Sequence, residues 1–237
     1  MFTSLINSHR ELNNIEFAIL PIGSIEQHGW HLPLYTDSLI ATALAENLAQ
    51  RFEKAYLLPL IPYSSSFEHA GFPGSVSLKV STVAAVISDI LESLAMSGVQ
   101  KCVIVNGHQG NHFLRNITQE VNRYGPRLLL VPSKSAWDTA YREAGISTTI
   151  SRDMHAGEGE TSLIMHLAPE AVKQSGIKDV DCPSRPLFEV VGMKHYSETG
   201  AIGFPTRATT EKGAALLNVL IRECEKVINE FVFETNS

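Results

Sequence analysis

The chain has 237 residues, 44% of them hydrophobic and 19% charged, with a formal net charge of −6. That balance suits a globular protein with a sizeable core. It argues against nucleic acid or an anionic membrane surface as the main partner, since both want a basic face.

No apolar run approaches the roughly 20 residues that span a bilayer. The N-terminal stretch lacks the basic region, long apolar region and cleavage site of a signal peptide. Cys102, Cys182 and Cys224 are few and far apart, which predicts reduced thiols in a cytoplasmic protein.

Short apolar runs alternate with amphipathic segments along the chain. Residues 16–22 (EFAILPI) predict a buried strand, and 38–51, rich in Ala and Leu at helical spacing, a helix. Residues 55–60 (AYLLPL) predict a second strand, with Pro59 toward its end. A helix is expected over 81–96, with Ser81 as its cap. KCVIV (101–105) has the character of a strand buried on both faces. A helix over 111–123, a strand over 128–131, and helices over 157–167 and 211–231 complete the pattern. Such alternation predicts an α/β fold with a mostly parallel sheet covered on both faces. Sites in such folds gather outside the carboxyl ends of the strands.

Three polar clusters follow apolar runs or open a helix. They are GSIEQHGWH after the first strand, NGHQGNH after KCVIV, and HAGEGETS at the start of the 157–167 helix. Five of the nine histidines, His28, His31, His108, His112 and His155, fall in these stretches. Glu26 and His28, two apart in an extended segment, point to one side. They form a ligand pair suited to Zn, Mn or Fe. A turn through Gly29 and Pro33 would bring Asp37 beside them, and a carboxylate can bridge two cations. His108 sits at a strand exit, where a ligand is expected. His155, Glu158 and Glu160 offer a proton-handling imidazole and two carboxylates. The loop SSSFEHAGFPGSVSL (64–78) is able to wall a pocket, with His69 and either Ser75 or Ser77 facing it. Arg152 suggests an anionic group on the substrate. GxGxxG after a strand, a phosphate-cradling GxxxxGK[ST], GxSxG and HExxH are all absent.

GSIEQHGWHLPLYTD, NGHQGNH and HAGEGETS together resemble the signature blocks of the creatininase family of metal-dependent amidohydrolases. GFPGSVSL and TGAIGFPTRATTEKG (199–213) also resemble segments of that family. The resemblance covers about residues 16–222. It implies a single catalytic domain over 1–237 with a three-layer α/β/α sandwich. It further implies a homo-oligomer, with a hexamer favoured, and two divalent cations per chain, Zn first and Mn or Fe as alternatives. By position, Glu26 would bind one cation, His28 the other, and Asp37 both, with His108 completing the site that Glu26 begins. Creatininase has a further glutamate where this chain has Gly110. Glu160 is the first choice to replace it and Glu158 the next. His155 matches the histidine that handles protons and contacts substrate, and Glu158 or Glu160, if not a ligand, would orient it or the attacking water.

Ser151 stands where creatininase has a tryptophan, and Gln109 where it has a substrate-contacting tyrosine. The resemblance therefore implies a reaction class rather than creatinine itself. That class is hydrolysis of a small-molecule amide: a formamide, a cyclic amide or a short peptide. Ser77, Gln109, Arg152 and His69 are the expected substrate contacts. The competing reading is a metal-binding scaffold or regulator without turnover on the same fold, for which Gly110 is the best support.

Overall fold

In the computed structural model, residues 9 and 14–234 are described. Four strands form one sheet in the order β2-β1-β3-β4: β1 Phe17–Ile22, β2 Ala55–Leu57, β3 Lys101–Asn106 and β4 Leu128–Val131. All three pairings are parallel, with Phe17 opposite Ala55 and Lys101, and Cys102 opposite Leu128. β1 is buried at every position, as the continuous apolar run required. Pro21 has no N–H to give, but its carbonyl accepts from the Ile61 N–H at 3.0 Å.

Side-chain alternation splits the core into two clusters, one per sheet face. Phe17, Ile19, Val103, Val105 and Val131 pack with Ile40, Leu44 and Leu48 of α1 (Thr36–Ala49). Leu163 of α5 (Glu158–Leu167) and Leu216 and Leu220 of α8 (Thr210–Asn229) join that cluster. Ala18, Leu20, Ile22, Cys102 and Ile104 pack on the other face, against Val83, Ile87 and Leu91 of α2 (Val80–Met96) and Leu114 of α3 (Leu114–Val121). The result is the three-layer α/β/α arrangement. Among the described residues no helix is long and apolar enough to cross a membrane.

Several boundaries differ from expectation. β2 stops at Leu57, before Pro59. α2 begins at Val80 after an extended Lys79, so Ser81 lies inside the first turn rather than at the cap. α3 begins at Leu114, because 107–113 form the turn that carries His108. Three helices had no counterpart in the sequence pattern: α4 (Lys134–Glu143), α6 (Phe188–Val191) and α7 (Met193–Tyr196). α4 does have a cap, since Ser133 Oγ accepts from the Ala136 N–H at 3.1 Å.

Candidate metal centre and active site

The chain leaves β1 and β3 at the same sheet edge, and the expected clusters meet there. Glu26 and His28 lie just past β1, Asp37 in the first turn of α1, His108 just past β3, and Glu160 in the first turn of α5. Glu26, His28, Asp37 and His108 are at most 3% exposed. Gly107 lets the β3 exit lie against α1, since a Cβ there would collide with the Asp37 carbonyl. A Cβ at Gly110 would collide with Glu68 Oε1 and His108 Nε2. The space that a side chain at 110 would need is thus filled by Glu68.

Two groups of residues able to hold a metal ion share Asp37. Glu26, Asp37 and His108 form one, and His28, Asp37 and Glu160 the other. In the first, His108 Nδ1 lies 3.3 Å from Glu26 Oε2 and 3.2 Å from Asp37 Oδ2. In the second, His28 Nε2 lies 3.2 Å from Asp37 Oδ1 and 3.9 Å from Glu160 Oε2. A third grouping joins Glu26, His28 and His155. Both oxygens of Glu26, His28 Nε2 and Asp37 Oδ2 are buried without a hydrogen bond. Buried polar atoms are rarely left in that state, so this donor set fits a cation.

Backbone anchors decide which nitrogen of each ring faces the cluster. His28 Nδ1 donates to the Glu26 carbonyl at 3.1 Å, and His108 Nε2 to the Ser65 carbonyl at 3.1 Å. His155 Nε2 donates to the Gln27 carbonyl at 2.6 Å, leaving Nδ1 3.7 Å from Glu26 Oε1. Each inward nitrogen is then free to act as a ligand or a base. His69 is the reverse. The Gln27 amide is fixed by the Gly200 carbonyl and the Gly29 N–H, so its N–H₂ donates to His69 Nδ1 at 2.7 Å. The His69 N–H is therefore at Nε2, 3.3 Å from Glu26 Oε1, without making a hydrogen bond to it.

Electrostatics follow this layout. Burial opposes charge on His28, but Asp37, Glu160 and Glu26 outweigh it and raise its pKa to about 9. Burial likewise opposes charge on His108, and Glu26 and Asp37 lift it well above the usual value. Burial is the first cause holding His155 well below the usual imidazole range, with His28 and His69 adding to it, so its ring is neutral. Burial lowers His69 to about 4 and raises Glu160 to about 7.

Other expected residues lie elsewhere. Glu158, expected as catalytic, accepts from Lys212 Nζ at 2.6 Å, Thr148 Oγ1 at 2.8 Å and the Ser147 N–H at 3.2 Å. Its carboxylate is committed to α8 and the 147–148 loop, away from the cluster. Arg152, expected at the substrate, pairs with Asp181 and lies over the Phe204 ring. Ser77 Oγ accepts from the Ser66 N–H at 2.7 Å, and Ser75 Oγ from the Gln27 N–H at 3.0 Å. Both serines brace loops. Gln109 and His69 do line the cavity that opens on the cluster. His31 bonds Thr161 Oγ1 at 2.9 Å and stays outside the ligand sets.

Two residues escaped the sequence reading. Asp153 caps α5 from outside the helix, accepting from the Glu158 N–H at 2.5 Å and the Gly159 N–H at 2.8 Å. It thereby fixes the turn carrying Glu160, and its place a few residues ahead of Ala156, Gly157 and the helix start was the available signal. Ala156 adopts φ 49°, which aims its N–H at Glu160 Oε2 at 2.5 Å.

The chain is also similar to known proteins along nearly its whole length. The chain is 30% identical to the mycofactocin precursor peptide peptidase of Mycolicibacterium smegmatis, over 97% of this chain and 92% of the relative. It is 28% identical to the creatinine amidohydrolase of Pseudomonas putida, over 90% and 88%. A crystal structure of creatinine amidohydrolase superposes with a TM-score of 0.79 at 25% identity, covering 96% of this chain and 94% of that one. Residues 7–228 match the family described as creatinine amidohydrolase, and the chain belongs to that family, the Creatininase family.

Proposed function

We propose that this chain is a metal-dependent amidohydrolase that cleaves a C–N amide bond using two divalent cations. Glu26, Asp37 and His108 would hold one, and His28, Asp37 and Glu160 the other. The supporting observation is the buried donor set that Asp37 links. Burying an unpaired carboxylate costs several kcal/mol even after relaxation, yet Glu26 and Asp37 are at most 1% exposed and three of their oxygens lack a hydrogen bond. Cations at this position offset that cost.

When bound, such a pair polarises the amide carbonyl and lowers the pKa of a water. The chain supplies the rest. The Gln27 carbonyl holds the His155 proton at Nε2 and leaves Nδ1 toward the cluster. His155 Nδ1 takes the proton of the attacking water and passes it to the departing nitrogen, which leaves poorly as an anion. Burial keeps that ring neutral before the proton arrives and favours handing the proton on afterwards. His69 Nε2–H lies 3.3 Å from Glu26 Oε1 and places a neutral dipole beside it. Relatives named as a peptide peptidase and a creatinine amidohydrolase support amide hydrolysis in general. Zn is the first expectation for the metal, with Mn or Fe next. The same reading takes 1–237 as one catalytic domain, forming a homo-oligomer in the cytoplasm.

Elemental mass spectrometry of protein purified without chelator tests the site. Wild type is expected to carry about two divalent ions per chain, as a two-metal clamp requires. Asp37→Asn is expected to lose both together with activity. Retention of two ions by Asp37→Asn would overturn the bridging role.

A further inference from the structure

The cavity that opens on the metal centre encloses about 330 Å³, near the small end of the roughly 300–1,000 Å³ of ligand sites. His108, His155 and Glu160 contribute the chemistry described above. The cavity also reaches the edge strand β4, where its lining includes groups that the hydrolysis does not use. Leu130 and Pro132 stand at the exit of β4, and Trp137 on α4, with Ile150, Phe188 and Met193 extending the apolar wall. Arg115, near the start of α3, and Lys134, at the start of α4, are the cations of this lining.

Lys134 is shared with Asp138 at 2.7 Å. Among the described residues, no carboxylate lies within ion-pair distance of Arg115. Trp137 is 8% exposed, and its indole N–H has no acceptor. Arg152, the cation expected from the sequence to meet an anionic substrate, is already paired with Asp181. The β4 side therefore offers one uncommitted guanidinium, one unused N–H donor and an apolar wall.

We infer that this end of the cavity binds a carboxylate carried by the substrate, with Arg115 as its principal partner. The substrate class is then an N-acylated apolar amino acid, or the end of a short peptide with a free C-terminus. This deepens the amidohydrolase reading and rests on it. A guanidinium fork matches a carboxylate with two parallel hydrogen bonds. With Lys134 paired to Asp138 and Glu68 at the His108 side of the cavity, Arg115 leaves a single positive charge at the β4 end, which suits a monoanion better than a phosphate ester carrying about −1.5 to −2. The apolar wall suits a hydrocarbon side chain beside the anion.

The test uses metal-loaded protein and reads binding as well as turnover. Calorimetry compares 3-phenylpropanoate, 3-phenylpropanamide and 2-phenylethyl phosphate. Kinetics compare N-formylphenylalanine with its C-terminal amide. Wild type is expected to favour the carboxylate of each pair by about tenfold or more, the scale of one charge-assisted pair. Arg115 is exposed, so the fold tolerates its replacement. Arg115→Gln is expected to bring both ratios toward one, and Arg115→Lys to keep part of each. Ratios of one in wild type overturn the subsite. Propanoate binding that is lost on chelation but unchanged in Arg115→Gln also overturns it, since the carboxylate then sits on the cations. Tighter binding of the phosphate overturns the choice of carboxylate. Arg115-dependent propanoate binding without turnover of either amide upholds the subsite and removes the amidohydrolase reading instead.

Discussion

Three imidazoles face the Glu26 carboxylate, and a fourth, His28, bonds its carbonyl. Ring identity alone does not sort them, but hydrogen-bond partners do. His28, His108 and His155 each give a proton to a backbone carbonyl and turn the other nitrogen inward. His69 accepts from Gln27 and turns an N–H inward. His155 is the member whose role divides two chemistries, because its Nδ1 can handle a proton or complete the grouping with Glu26 and His28. The ligand sets around Asp37 are complete without it. We therefore expect His155→Ala to keep its metal while kcat falls about 10²–10⁴-fold, the span of general acid–base catalysis. Elemental analysis beside single-turnover kinetics checks this. Metal lost in step with activity would make His155 a ligand and end its proton role.

At the scale of elements, α5 explains why the choice between Glu158 and Glu160 was not legible in the sequence. Two residues on a helix are about 200° apart, so only one carboxylate of the pair can face the sheet edge. Which one depends on how α5 is rolled. That is set by Asp153 at its first N–H groups and by α8 packed along it. Glu158 turns to α8 and meets Lys212. We expect Glu158→Ala to leave metal content unchanged while costing about 3 kcal/mol, because it strands Lys212, Thr148 and the Ser147 N–H. The pH dependence gives a second readout. Burial works against the Glu158 charge, but Lys212, Thr148 and Ser147 outweigh it and hold its pKa below the usual carboxylate value. A lowered carboxylate pKa stabilises the fold above the ordinary value, and that stabilisation is lost as pH falls through the folded one. The gap between wild type and variant in urea denaturation should thus be full near neutrality and narrow in acid. A variant that loses metal at unchanged stability would return Glu158 to the site. The strands and the three polar clusters were legible, because buried parallel strands are continuous apolar runs and strand exits are where polar residues collect. The pairing of Arg152 with Asp181, 29 positions away, was not, since partners so distant in sequence leave no periodic trace. The four-residue helices α6 and α7 are too short to show one.

At the scale of the whole molecule, the proposed ligands come from segments that meet only when the sheet is assembled. Glu26 and Glu160 lie at opposite ends of this stretch of chain, with β2, β3 and β4 built between them. The unfolded chain has no such site, so binding free energy for cations there would become folding free energy. Free metal at about 1,000 times its dissociation constant would add about 4 kcal/mol for each cation bound. For a chain of this size each kcal/mol shifts Tm by about 2–4 °C, so removal should lower Tm by about 8–16 °C for each cation lost. Differential scanning calorimetry of metal-loaded and chelated protein measures the shift directly. The control is Asp37→Asn, whose two curves should nearly coincide, because the residue common to both ligand sets is neutralised. A wild-type protein with no shift on chelation would mean that the buried carboxylates are balanced by protons on His28 and His108 alone, and the two-cation site would fall with it.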